Sequence, residues 1–391
     1  MNEFKSLESN IWKIYLRKII SSFALFTPVI VLFFLDNGLS MTEVALLQTA
    51  YSVTVVGLEV PSGYFADLYG RRTSLTLSGL FLAAGIGLYS IGTGFYEFLL
   101  AEMIFGVGAV LESGVLSAVM YDSLQELDLE DKYNQIWGKA TFYGLVSVAV
   151  ASILGGFIGE FSLRAAIMAM VPLYILLIPL SLSLREPSKH EDLKDESSRK
   201  LKGILKYCVN SVKIRWLVVY AAIIAAAGKS AYYLYQPYFQ ISGIQVAYFG
   251  LIFAGLSIIS AVAARKAYTL ENFLGRRKSL LSLLGVTVAA ITLLGFFQNI
   301  AVVVFAACLS AVRGFSKPVI SDYLNGLISS EMRATVLSVR GLVSRAAFAV
   351  SFPVVGLVVD TYSYQVAFNV IAASTGFIGL LAFILLLRHW R

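Results

Sequence analysis

Gly63-Tyr64-Phe65-Ala66-Asp67-Leu68-Tyr69-Gly70-Arg71-Arg72 decides how this chain is read. The stretch closes one long apolar run, roughly 43 to 66, and is followed at once by another, 73 to 93. Its polar residues therefore form a short loop between two helices. A worn copy stands further on at Tyr268-x-x-x-Asn272-x-x-Gly275-Arg276-Arg277, again between apolar runs. Tyr121-Asp122 is likewise matched by Ser321-Asp322, and Gly114 by Gly314. The chain is built from two similar halves.

Composition says what kind of chain this is. Of 391 residues, 58% are hydrophobic and 14% charged, against about 25% charged in a soluble domain. The mean hydropathy is +0.77. A helix needs roughly 20 apolar residues to cross a bilayer, so the length supports about twelve spans and no large soluble domain. We place them at roughly 14 to 35, 43 to 66, 73 to 93, 97 to 125, 137 to 158 and 163 to 184, then 214 to 238, 246 to 267, 278 to 297, 300 to 327, 334 to 359 and 364 to 387. Continuous apolar runs of this length specify helices, since a barrel shows short alternating segments. The expected fold is an all-α membrane protein of two pseudo-symmetric six-helix bundles. Residues 1–184 form the first bundle, 185–213 a hydrophilic linker and 214–391 the second.

Lys and Arg collect in cytoplasmic loops. With the N-terminus inside, that side holds Lys5, Lys13, Arg17, Lys18, Arg71, Arg72, Lys132, Lys139, Arg276, Arg277, Lys278, Arg333, Arg388 and Arg391, while the opposite loops hold only Arg164. Both termini are expected in the cytoplasm, in a cell-membrane protein. The net charge of +7 follows from this topology, and its scattered basic residues exclude a nucleic-acid surface. Cys208 and Cys308 fall in the linker region and in a span, so no disulfide is implied. His190 and His389 are isolated, so no metal site is expected. Neither a P-loop nor a nucleophile elbow occurs in a suitable context. The chain is expected to be no enzyme and to take no cofactor.

Over nearly its whole length the chain resembles a major facilitator superfamily transporter. Gly63, Asp67, Gly70, Arg71 and Arg72 match the family's motif A, and Arg313-Gly314-Phe315-x-x-Pro318-x-x-x-Asp322 resembles prokaryotic members of efflux type. The resemblance implies that Asp67 sits at the inner mouth against the start of helix 11 and that Arg71 reaches Asp122 at the inner end of helix 4. That network would latch the inner side. The second copy lacks the carboxylate, having Asn272 for Asp67. In helix 5 the family's antiporter motif places Pro beside Gly; here Gly144, Ser147, Ala151, Gly155, Gly156 and Gly159 have no such Pro among them, so this stripe is read as helix packing.

Ionisable residues inside spans are costly in lipid and mark cavities. The first half contributes Glu59, Glu102 and Glu112; the second contributes Lys229, Arg313, Lys317 and Arg345. At about 1.5 Å per residue, Glu112 and Arg313 reach similar depths just inside the midplane, from which they can pair. Arg313 and Lys317 share one face at i and i+4. Glu112 is read as proton carrier or cation ligand, or else as half of a structural ion pair, and Glu102 as a second candidate. Glu59, before Pro61, is given a packing or gating role. Asp36 and Asp360, at outer helix ends, are read as solvated or as caps. Lys229 is assigned to the cavity and Tyr238 to the interfacial aromatic belt, with Tyr232, Tyr233 and Tyr235 open between the two.

Two transport readings stand side by side. In one, a proton-coupled carrier exports small amphipathic compounds. In the other, the basic second bundle takes up or exchanges an organic anion or zwitterion. A third, of another class, is a membrane sensor that binds its ligand without moving it. The expected partners are a small-molecule substrate, protons and the lipid bilayer, with the protein acting as a monomer.

Overall fold

The computed structural model describes residues 2–187, 207–208, 210–329 and 332–389, and every regular element among them is helical. In chain order they are α1 (Asn2–Ser22), α2 (Ile30–Asp36), α3 (Met41–Tyr69), α4 (Arg71–Ile91), α5 (Phe95–Glu112), α6 (Val115–Gln125), α7 (Tyr133–Phe161), α8 (Leu163–Met168) and α9 (Met170–Leu182). Then follow α10 (Val212–Ile241), α11 (Phe249–Arg265), α12 (Ala267–Leu274), α13 (Arg276–Phe296), α14 (Val302–Asn325), α15 (Arg333–Thr361) and α16 (Tyr364–His389). Eleven spans among the described residues are long and apolar enough to cross a membrane. Most of the hydrophilic linker, including His190, lies outside the described residues.

The span expected at 14 to 35 is the one that differs. It is two pieces, α1 and α2, joined by turns in which the Thr27 and Val29 amides donate to Ala24 and Phe26 carbonyls. Pro28 accounts for the interruption, because it has no N–H and disfavours α geometry in the residue before it. The span Phe95–Gln125 is interrupted too, between α5 and α6 at Ser113-Gly114.

Contacts divide the chain into two compact units: Met1–Leu39 with Ala50–Glu191 and Val246–Ala254, and Ser40–Thr49 with Asp192–Gln245 and Gly255–Arg391. In the first, α4 packs against α5 and α9, and α1 against α7. The small-residue stripe of α7 makes this possible. A side chain at Gly155 would run into the Leu25 carbonyl, and one at Gly159 into Val29, so the broken segment after α1 lies directly on α7. Ile14, Ala66, Leu75, Leu116 and Met120 close the core at the end that carries Gly70.

In the second unit, α10 packs on α15 and α16, and α13 on α14 and α16. Leu217, Tyr220, Leu283, Phe315 and Leu324 lie in its core. Asp360 acts as a cap, but for another helix: its carboxylate accepts the Met41 and Thr42 amides at 2.9 and 2.7 Å, at the start of α3. Tyr238 is no belt residue. It is fully buried and its hydroxyl donates to the Leu294 and Phe297 carbonyls at 2.6 and 2.7 Å.

Candidate functional site

Gly70 makes the tight connection between α3 and α4 with φ at +94°, and Gly275 repeats it between α12 and α13 at +73°. A side chain would be strained in either conformation. Arg71 forms an ion pair with Asp122 near the end of α6. The same turn holds a contact that sequence reading missed. Glu186, just past α9, accepts the Arg71 and Arg72 amides at 2.5 and 2.6 Å, so a carboxylate satisfies the N-terminus of α4. Gly63, Asp67 and Arg72 are exposed. In the second copy, Arg276 lies over the Tyr323 ring at 4.9 Å, and the Tyr323 hydroxyl donates to Glu271 at 2.7 Å.

The first unit holds a cavity of about 450 Å³ lined by Lys18, Tyr51, Glu112, Ser117, Trp137 and Tyr174, among others. Glu112 is the last residue of α5 and stands where the helix breaks. Its partner is Arg17 of α1, whose Nη2 donates to Glu112 Oε2 at 2.9 Å. Arg17 also donates to Ser78 Oγ at 3.3 Å, to the Leu177 carbonyl at 3.2 Å and to the Ser181 hydroxyl. This corrects the placement of Arg17 in a loop: it is fully buried. A buried guanidinium persists only with acceptors and a counter-charge around it, and Glu112 supplies that charge.

The second unit holds a cavity of about 580 Å³ between α10, α14 and α15. Lys229, Arg313, Lys317 and Arg340 line it, with Tyr232, Tyr233 and Tyr235 and several serine hydroxyls. No Asp or Glu is among the described residues on its wall. Lys229 Nζ lies 4.0 Å from the Phe348 ring centre, and the Arg313 guanidinium 5.7 Å from that of Tyr232. Arg340 Nη1 donates to Ser321 Oγ at 3.0 Å and to the Lys317 carbonyl at 3.4 Å. Two expected site residues are elsewhere. Arg345 is partly buried in α15 and lines neither cavity, and Glu102 is buried in α5 and lines neither.

Residues 19–270, more than half of the chain, match the sequence model of the Major Facilitator Superfamily. The chain belongs to the Major Facilitator Superfamily. It is 22% identical over 356 residues, 89% of this chain and 88% of the relative, to YxaM of Bacillus subtilis (strain 168), an uncharacterized MFS-type transporter. It is 26% identical over 141 residues, 34% of this chain and 22% of the relative, to the vacuolar membrane amino acid uptake transporter fnx2 of Schizosaccharomyces pombe (strain 972 / ATCC 24843). Its fold is similar to the crystal structure of the nucleoside transporter NupG, with a TM-score of 0.81 at 13% identity over 100% of both chains. It is also similar to a bacterial homologue of the human lysosomal transporter Spinster, with a TM-score of 0.76 at 13% identity over 97% of this chain and 96% of that one. The protein is a multi-pass membrane protein and an MFS secondary transporter.

Within this MFS chain, the residues that sequence reading passed over carried a signal. Asn10, Ile14 and Arg17 are all buried and fall at i, i+4 and i+7, one helix face. Asn10 ties α1 to Ser123 and to Arg185. Arg340 and Ser344, both on the second cavity, are likewise one turn apart. Arg164, the lone basic residue of its loops, donates to the Ser90 and Gly92 carbonyls at 2.7 and 2.9 Å, satisfying the end of α4.

Proposed function

We propose that this MFS transporter moves a small organic anion, or a zwitterion presented through its carboxylate, by alternating access, and that the second unit's cavity is where it binds. The observation that carries this reading is the wall chemistry. Four Lys and Arg side chains line the cavity with no carboxylate among the described residues there. Arg313 and Lys317 are exposed on one face of α14 and set positive charge on that wall, and a cavity lined by one sign of charge draws the opposite one. Lipophilic cations, which an efflux-type carrier of amphipathic compounds would take, fit this wall poorly.

The test is thermal unfolding of the purified protein with benzoate, glycine and tetraphenylphosphonium as probes. A ligand at 100 times its Kd stabilises by about 2.7 kcal/mol. Stabilisation by benzoate or glycine that disappears in Arg313→Gln is expected. Stabilisation by tetraphenylphosphonium alone overturns the reading.

The proposed driving ion is the proton, with Glu112 as the coupling carboxylate. It is the acid on the first unit's cavity wall, and protonation would release its hold on Arg17. The double variant Arg17→Gln with Glu112→Gln leaves no buried charge uncompensated. In proteoliposomes it is expected to keep counterflow and to lose accumulation driven by a pH gradient; intact pH-driven accumulation rejects the coupling role. We place both termini in the cytoplasm from the Lys and Arg bias, with Asp67, Arg71 and Asp122 as the gate on that side and a monomer as the working unit.

A further inference from the structure

We infer that the anion held in the second unit's cavity carries an aromatic ring, and that Tyr232 is the residue that reads it. This rests on the anion reading above and adds the class of anion, an aryl carboxylate or its sulfonate equivalent.

Two of the four cations of this wall, Arg313 and Lys229, are mounted on rings. Arg313 lies over Tyr232, and Lys229 over Phe348 with Tyr233 at 5.9 Å. A guanidinium is planar and stacks on aromatic faces, so an arginine seated on a tyrosine offers a second flat face beside a charge. The rings behind are packed into one block. Tyr233 stacks on Phe348 at 5.8 Å and 27°, and Phe348 stacks on Phe352 at 4.9 Å and 23°. Tyr232 meets Tyr233 edge-on at 6.0 Å and 89°. The wall therefore presents tyrosine planes in crossed orientations, the arrangement that accepts a further ring by offset stacking or edge contact.

Position along the helices agrees. Lys317 lies one turn from Arg313 on the same face of α14, and Arg340 reaches the Lys317 carbonyl and Ser321. An anionic group on Arg313 and Lys317 thus has a third cation beside it, while the rest of the molecule extends toward Tyr232 and Tyr235. A saturated chain would occupy the cavity, of about 580 Å³, without using the ring faces.

The experiment compares phenylacetate with cyclohexylacetate by calorimetry on the purified protein. The two differ in ring saturation, and the saturated ring buries at least as much apolar surface, so burial alone does not favour phenylacetate. We expect phenylacetate to bind about 3- to 10-fold tighter, the worth of one good aromatic contact. Tyr232→Leu should erase the difference while keeping cyclohexylacetate binding, and Tyr232→Phe should keep the preference. Arg313→Gln should weaken both ligands alike. Equal affinities in the wild type, or a preference that survives Tyr232→Leu, overturn the ring assignment and leave the anion reading standing. Binding of neither ligand defeats both.

Discussion

Ser113-Gly114 and Arg313-Gly314 hold matching places in the two sequence halves, and the chain does opposite things at them. At Gly114, φ is +75°, α5 has ended at Glu112, and α6 resumes at Val115. At Gly314, α14 runs straight through, and the absent side chain admits the Ser260 carbonyl of α11. One glycine meets a backbone demand and the other a packing demand. The charges divide the same way. The broken helix carries Glu112, neutralised inside its own unit by Arg17. The unbroken helix carries Arg313 and Lys317 into a cavity whose described wall contains no acid. A repeat can thus keep its fold while one copy closes its charge internally and the other sets its charge on a cavity wall with no acid among the described residues.

The largest effect should come from unbalancing the closed copy. Glu112→Gln leaves Arg17 buried without a counter-charge and is expected to cost about 3–5 kcal/mol, whereas Arg17→Leu with Glu112→Leu restores wild-type stability. Arg313→Gln, on an exposed cavity wall, should leave the melting temperature nearly unchanged. Thermal unfolding of the three variants checks this, and equal losses in Glu112→Gln and Arg313→Gln would break the contrast.

The two glycines should answer opposite substitutions. Gly314→Ala overpacks a helix contact and is expected to cost about 1–3 kcal/mol. Gly114→Ala meets open space but a left-handed backbone, at about 1–2 kcal/mol. Asparagine tolerates positive φ, so Gly114→Asn should be milder than Gly114→Ala, while Gly314→Asn should be worse than Gly314→Ala. The rank order in unfolding midpoints decides the matter.

The smallest effect concerns the motif turn. Glu186→Gln keeps an acceptor at the start of α4 and removes its charge, for an expected loss of about 0.3–1 kcal/mol that shrinks as salt is added. A loss independent of ionic strength would mean that the charge is not what Glu186 contributes.

The helical spans and the motif loop were legible because hydropathy and glycine spacing are local properties. So was the second cavity's character, since Lys229, Arg313 and Lys317 stand out in apolar runs. Arg345 and Arg340 show where that legibility ends. They share one helix, five residues apart, and only packing decides which faces the cavity. Arg17 was hidden for a similar reason. Next to Lys18 it looks like a loop anchor, and its partners lie on three other helices. Tyr238 resembled an interfacial ring because its hydroxyl's acceptors, the Leu294 and Phe297 carbonyls, are far away in the chain.

The partners of Arg17 also bear on how the protein is made. They lie 61, 95, 160 and 164 residues downstream. At a synthesis rate of about 5–20 residues per second, the last of them leaves the ribosome roughly 8 to 33 s after Arg17 itself. Its counter-charge Glu112 comes after 95 residues, roughly 5 to 19 s, and until then the guanidinium lacks the acid it pairs with. The contacts of α1 within its bundle can therefore close only once α9 has been made.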